Sequence, residues 1–210
     1  MTAGITLDLA SPETLTGWMR GRRSVRRYHD TPLPAALIER LIDAARHAPS
    51  AHNRQPWRFA LLQDRVRKAR LADAMGARLR ADRAADGDDA AAIEADVARS
   101  RARIVSAPAV IVASFTLADM DAYPDPRRAE AERLMAVQGT AMAVQNLLLL
   151  AHAEGLGACW MCAPLFCPDT VKQALVLPDD WQPQALVTLG YPAAPGRACE
   201  RRSVAEIVRT

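Results

Sequence analysis

Apolar residues recur along most of this chain at the three- and four-residue spacing of helices with one buried face, and only a few short runs break that rhythm. Ser11-Pro12-Glu13 sets a serine cap and a first-turn proline ahead of Leu15, Trp18 and Met19, predicting a helix that stops at Gly21. Thr31-Pro32-Leu33-Pro34 opens a second, with Leu37, Ile38, Leu41, Ile42 and Ala45 on one face and Pro49 at its end. Trp57 to Gln63 predicts a first strand, after which a stretch rich in Ala, Arg and Asp returns to helical spacing and is split into two helices at Gly87. Within it, Ala81 to Ala92 reads as a mobile bend or as part of a cover over a site.

Ala109 to Phe115 is a continuous β-branched run, as in a strand buried on both faces. Arg127 to Ala153 predicts the longest helix, apolar around most of its circumference through Met135, Met142, Val144, Leu147, Leu148 and Leu150, which sets it at the centre or at a subunit interface. Gly155 and Gly157 end it. A strand at Ala158 to Met161, a short helix at Pro168 to Leu175 and a last strand at Pro183 to Tyr191 follow, and the tail from Pro192 to Thr210 is expected to run over the surface. Helices that outnumber short, helix-separated strands predict an α+β fold with a small sheet among helices.

Composition narrows this picture. At 210 residues, half of them hydrophobic, the chain suits one domain with a substantial core. The formal charge of +3, from 27 basic and 24 acidic residues, gives no global reason to expect nucleic acid or a membrane surface, so any functional positive charge is local. The longest apolar run, Ala143 to Ala151, is interrupted by Gln145 and Asn146 and falls short of the roughly 20 residues of a spanning helix. Met1 to Ala10 lacks the pattern of a secretion signal and reads as a loose terminal segment, which makes the cytoplasm the expected compartment. Cys159, Cys162, Cys167 and Cys199 are expected as reduced thiols, the first three packing as small hydrophobes rather than holding a metal. Asp119, Asp121, Asp125 and the carboxylates of the 82–96 stretch show no pairing pattern and are expected in solvent.

Two segments carry the candidate chemistry. Arg22-Arg23-Ser24-Val25-Arg26-Arg27-Tyr28 gathers four guanidiniums and a hydroxyl just beyond a helix end, where planar donor forks suit phosphate oxygens; the alternative is a solvated basic loop. Ala48-Pro49-Ser50-Ala51-His52-Asn53-Arg54-Gln55-Pro56-Trp57 is a proline-stiffened turn whose Asn and Gln offer both donors and acceptors to a heterocycle; the alternative is a purely structural loop. His52 is the histidine placed to meet a substrate, while His152, on an apolar helix, reads as a packing residue.

Together these segments, with Gly155-Leu156-Gly157-Ala158-Cys159-Trp160 and an arginine-bearing tail, resemble the signatures of the nitroreductase family in order from about Arg20 onward. The resemblance implies a single FMN-binding domain over 1–210, with a mainly antiparallel central sheet among helices and an intertwined homodimer holding flavin at its interface. It matches Arg22, Arg23, Ser24 and Arg26 to phosphate and ribityl contacts, with Arg201 or Arg202 added from the tail. Pro49, Ser50, Ala51, Asn53 and Gln55 match the segments lining the ring, partly across the subunit boundary. Trp160, Met161, Cys162 and Ala163 match the loop along one flavin face, with the Cys162 backbone N–H toward N5. The implied activity takes hydride from NADH or NADPH and passes it, through flavin, to an electron-poor small molecule such as a nitroaromatic, quinone or enone, with no catalytic side-chain nucleophile. Ala122-Tyr123-Pro124-Asp125 and Leu177-Pro178-Asp179-Asp180-Trp181-Gln182-Pro183 are further similar to the C-terminal flavin domain of the two-domain glutamyl ligase of coenzyme F420. That leaves open a biosynthetic reductase acting on a deazaflavin precursor, a flavin-fragmenting enzyme, or a flavin-binding protein without turnover.

Overall fold

Alternation along the buried strands decides the architecture. In the computed structural model, which describes residues 11–209, the strands β1 (Trp57–Leu62), β2 (Ala109–Phe115), β3 (Gly157–Met161) and β4 (Gln182–Gly190) form one antiparallel sheet in the order β1-β2-β4-β3. The expectation for Met1 to Ala10 lies outside the described residues. In β2, Ile111 and Ala113 point to one face and Val110 and Val112 to the other, and every residue of the strand is buried. The first face packs on α2 (Ala35–Arg46) and α5 (Pro126–Ala153) through Leu37, Ile38, Leu41, Val144 and Leu147. The second packs on α3 (Arg65–Ala85), α4 (Ala90–Ser106) and α6 (Pro168–Leu175) through Leu71, Met75, Ile104 and Val171. A sheet covered on both sides explains why its central strand lacks the polar alternation of a half-exposed one.

Local signals set the helix ends. Ser11 accepts a hydrogen bond from the Thr14 N–H at the start of α1 (Pro12–Gly21), and Asp64, Asp89 and Asp125 cap α3, α4 and α5 in the same way. Gly87, at φ 81°, turns the chain between α3 and α4.

Two expectations need correction, on the pairing of carboxylates and on the apolar length of α5, and two gain detail. The stretch 81–92 is the tip of a helical hairpin latched by ion pairs, since Arg80 meets Glu94 and Arg83 meets both Asp88 and Asp96; these pairs cross the hairpin and are invisible to spacing within one helix, while Asp82 pairs with Arg78 within α3. Asp119, Asp121 and Asp125 are likewise paired, with Arg58, Arg54 and Arg128. The tail includes a short helix, α7 (Val204–Ile207), opened by a reciprocal Ser203–Glu206 capping box. Finally, α5 contains an 18-residue window of mean hydropathy 1.5, apolar and long enough to cross a membrane by composition, because its alanines extend the run that Gln145 and Asn146 interrupt. Its small residues Ala136, Gly139, Ala143 and Ala151 are buried, while Leu134 and Met142 are exposed.

Candidate functional site

The arginine segment leaves α1 and is stitched to the outer edge of the sheet. Ser24 bridges Ala158 of β3, the Val25 N–H donates to the Ala158 carbonyl at 3.0 Å, and the His29 and Ala193 N–H groups bond Tyr191 and Arg27 carbonyls. Val25 is buried, and the Tyr28 hydroxyl sits at 2.5 Å from the Val25 carbonyl and 2.8 Å from Thr188 Oγ1. Burial raises the Tyr28 phenol pKa above its ordinary value, so the hydroxyl stays protonated as a donor. This anchoring fixes the backbone while leaving Arg26 and Arg27 exposed and Arg22 and Arg23 half-buried.

The outward guanidiniums are electrostatically unmatched. Elsewhere many arginines pair with carboxylates, as in Arg40–Glu154, Arg54–Asp121, Arg80–Glu94 and Arg101–Asp73, although among the described residues Arg65, Arg67 and Arg70 on α3 are also without an ion pair. Among the described residues, no carboxylate lies within ion-pair reach of Arg22, Arg23, Arg26, Arg27, Arg197, Arg201 or Arg202; Arg23 instead donates to the Arg22 carbonyl at 2.8 Å and to that of Arg20. Ser24, Arg26, Arg27 and Arg197 line one recess of about 190 Å³, closed by Ala194, Pro195 and Gly196. Arg22 and Arg23 line a neighbouring recess of about 320 Å³ with His152 and Leu156. Arg201 and Arg202 are exposed, and the tail arginine that shares a recess with the segment is Arg197, which sequence reasoning passed over. Gly196 permits this approach: a Cβ there would lie 2.3 Å from Arg23 Cβ.

Around this cluster the structure answers two expectations on side chains. His152 stacks on Trp18 with ring centroids 5.5 Å apart, so it packs as expected. Burial lowers its pKa, against a hydrogen bond with the Trp18 backbone, and Arg22 and Arg23 lower it further. Cys159 and Cys167 are buried as expected, and burial pushes the Cys159 thiol up while Arg26 beside it pulls down. Cys162 is exposed, correcting its assignment to packing: it leaves the end of β3 and its Sγ accepts from Trp160 Nε1 at 3.0 Å. Among the described residues, no group of three or more His, Cys, Asp or Glu is placed to hold a metal.

The chain after Ala158 is an edge. Because the Ala158 carbonyl faces the arginine segment, the alternation of an antiparallel ladder turns the Trp160 backbone outward too, and beyond the Ser24–Ala158 bridge no described strand pairs with it. Trp160 thus turns its backbone groups outward beside the arginine segment, Met161 pairs back to Leu186 of β4, and Cys162 leads into a 3-10 turn at Ala163–Phe166.

The 50–56 loop is built differently. After Pro49 and Ser50, the 3-10 turn Ala51–Asn53 carries left-handed residues at His52 (φ 48°) and Asn53 (φ 55°), and Gln55 (φ 50°) is left-handed as well. Asn tolerates this region readily; His and Gln do so at about 1–3 kcal/mol each, a strain that persists where the surroundings over-determine the backbone. Ser50 Oγ accepts from the Gln55 N–H at 3.0 Å, and Gly139 of α5 gives room for Ser50 and Pro56. Asn53 and Gln55 are exposed and Trp57 is buried beneath them.

One chain does not bring these parts together. The loop enters β1 at one edge of the sheet, whereas Trp160 to Ala163 and the arginines lie along β3 at the other, three strand spacings or about 14 Å away. A cleft of about 510 Å³, larger than either arginine recess, contains none of the predicted site residues; it is lined by Asp30, Arg65, Lys68 and Arg101. There the buried Lys68 ammonium donates to the Ala107 carbonyl at the end of α4, a capping role.

This fold is that of a known family. Residues 19–191 match the nitroreductase family, and the chain belongs to it. A Thermus thermophilus protein named NADH dehydrogenase is 32% identical over 211 residues, covering 89% of this chain and 91% of that one. A Desulfovibrio desulfuricans protein described as a nitroreductase and solved in complex with FMN superposes with a TM-score of 0.70 at 26% identity, covering 94% of this chain and 95% of that one. A nitroreductase-like family protein from Bacillus cereus shares the fold, with a TM-score of 0.71 at 23% identity, covering 93% and 95% of the two chains.

Proposed function

We propose that this protein is an FMN-dependent NAD(P)H oxidoreductase whose flavin is held between two copies of the chain. One observation carries the reading: Ser24, Arg26, Arg27 and Arg197 line one recess and Arg22 and Arg23 the next, and among the described residues none of these guanidiniums has a carboxylate partner. Such a group suits the dianionic tail of a mononucleotide, each shielded charge-assisted bond contributing about 1.5–3 kcal/mol. The FMN of the Desulfovibrio relative and the NADH named for the Thermus relative support the choice of cofactor and donor.

The residues fit the group. Arg22, Arg23, Ser24 and Arg26, with Arg201 or Arg202 from the tail, would hold the phosphate and ribityl chain, and Pro49, Ser50, Ala51, Asn53 and Gln55 would read the ring. The separation of the loop from β3 within one chain supports a homodimer in which the partner supplies that loop. When bound, FMN supplies the centre that takes hydride from NADH or NADPH and returns it to an electron-poor acceptor. The chain's own part is electrostatic: the Cys162 backbone N–H, at the exit of an unpaired edge, is the proposed donor to ring N5, and the arginines offset negative charge nearby. Trp160, Met161 and Ala163 wall one face and keep water from it. The acceptor class proposed is a nitroaromatic, quinone or enone in a cytoplasmic enzyme; the 122–125 and 177–183 segments support testing a coenzyme F420 precursor beside them.

Anaerobic reduction of FMN-loaded protein by NADH or NADPH, then reoxidation by each acceptor, tests the proposal. Protein that stays colourless with added FMN overturns it.

A further inference from the structure

Of the four non-glycine residues with positive φ among those described, His52, Asn53 and Gln55 stand in one exposed loop, so something outside the loop must hold its shape. The connection between β2 and α5 does so. Arg54 reaches Asp121 Oδ1 at 2.5 Å, and Arg58 reaches Asp119 Oδ2 at 3.3 Å while also donating to the Gln55 carbonyl at 3.0 Å. The Thr116 N–H donates to the Pro56 carbonyl at 2.9 Å, and the Thr116 hydroxyl donates to Asp180 at 2.6 Å, tying the start of the connection down. The Ala118 N–H and Met120 N–H close turns on Thr116 Oγ1 and the Leu117 carbonyl, which brings Asp119 and Asp121 to the loop.

We propose that Asp119 and Asp121 are positioning residues for flavin-ring recognition: their pairs with Arg58 and Arg54 hold the 50–56 loop left-handed before ligand arrives. This rests on the proposed function and extends the site to a segment outside the residues proposed to contact flavin. A loop held in its binding shape raises apparent affinity, because only the competent fraction binds. The brace acts on the ring, not on the phosphate, and riboflavin, which carries no phosphate, isolates it. The pairs are partly exposed and so respond to salt, although riboflavin is itself uncharged.

The experiment measures FMN and riboflavin affinities of the full-length protein by quenching of flavin fluorescence, in wild type and in the double variant Asp119→Asn/Asp121→Asn. Both affinities fall about fivefold or more together, which preserves their ratio. Riboflavin binding by wild type weakens from low to high salt, and in the variant this salt dependence disappears. Reversing one pair, Arg54→Asp with Asp121→Arg, restores riboflavin affinity relative to either single change. If the double variant does not fold, Arg54→Gln serves in its place with the same expected direction. Wild-type riboflavin affinity in the folded variant overturns the inference and leaves the function standing. Wild type that binds neither flavin overturns both.

Discussion

Adding one methyl at Gly157 probes how the arginine segment is seated. A Cβ at this first residue of β3 would lie 2.7 Å from Val25 Cβ and Cγ1 and 3.3 Å from Tyr28 Cε1. Carbon atoms prefer about 3.5–4.0 Å, so the segment must retreat by about 1 Å. Val25 is 8% exposed and cannot swing away, since its N–H and carbonyl are held by Ala158 and Tyr28. Overpacking of this kind costs about 1–3 kcal/mol, read as a lower urea midpoint for flavin-free Gly157→Ala. Function should suffer more selectively: losing one charge-assisted bond of about 1.5–3 kcal/mol weakens FMN by a factor of about 10 to 150 and leaves riboflavin nearly unchanged. Gly17→Ala is the control, because nothing lies within 4 Å of the added methyl on helix α1, and it should leave the flavin affinities alone and raise stability by up to about 1 kcal/mol. A folded Gly157→Ala protein with the wild-type preference for FMN over riboflavin would refute the claim that this seating aims the guanidiniums.

Other outcomes follow from the same geometry. Arg197→Ala should lower FMN affinity about tenfold with little change for riboflavin, because Arg197 shares its recess with Ser24, Arg26 and Arg27; equal losses for both ligands would deny it a phosphate role. Leu147→Ala, at a fully buried position between α5 and the sheet, should cost about 2–5 kcal/mol by urea unfolding, and a loss under 1 kcal/mol would contradict the packing described. His152 has a folded pKa below its unfolded one, so its contribution is present above the unfolded value near 6.5 and is lost as pH falls through the folded value. Stability should therefore drop from pH 7 toward 5 more steeply in wild type than in His152→Gln, followed by tryptophan fluorescence of Trp18; parallel profiles would show that this stack does not titrate.

What could be read from residues alone was whatever is decided within a few positions. The β-branched run at 109–115, the caps Ser11 and the turn glycine Gly87 act locally, and β2, α1 and the α3–α4 hairpin lie where their patterns put them. Partnerships across the chain left no local trace: Arg80 and Glu94 are on different helices, Arg54 and Asp121 are 67 positions apart, and each carboxylate looked solitary in its own segment. The same blindness hid Arg197, whose recess forms because Gly196 lets the tail approach Arg23, a fact about space rather than spacing. Left-handed Gln55 was equally illegible, since nothing in a glutamine announces positive φ; the strain becomes intelligible beside Arg58, which holds the Gln55 carbonyl from one side and Asp119 from the other. The arginine cluster was legible as charge, yet its meaning came from what the fold withholds from it. On the proposed function, what sets the 22–27 segment apart is that its unmatched guanidiniums line adjoining recesses with Arg197, where a ligand would bring the negative charge itself.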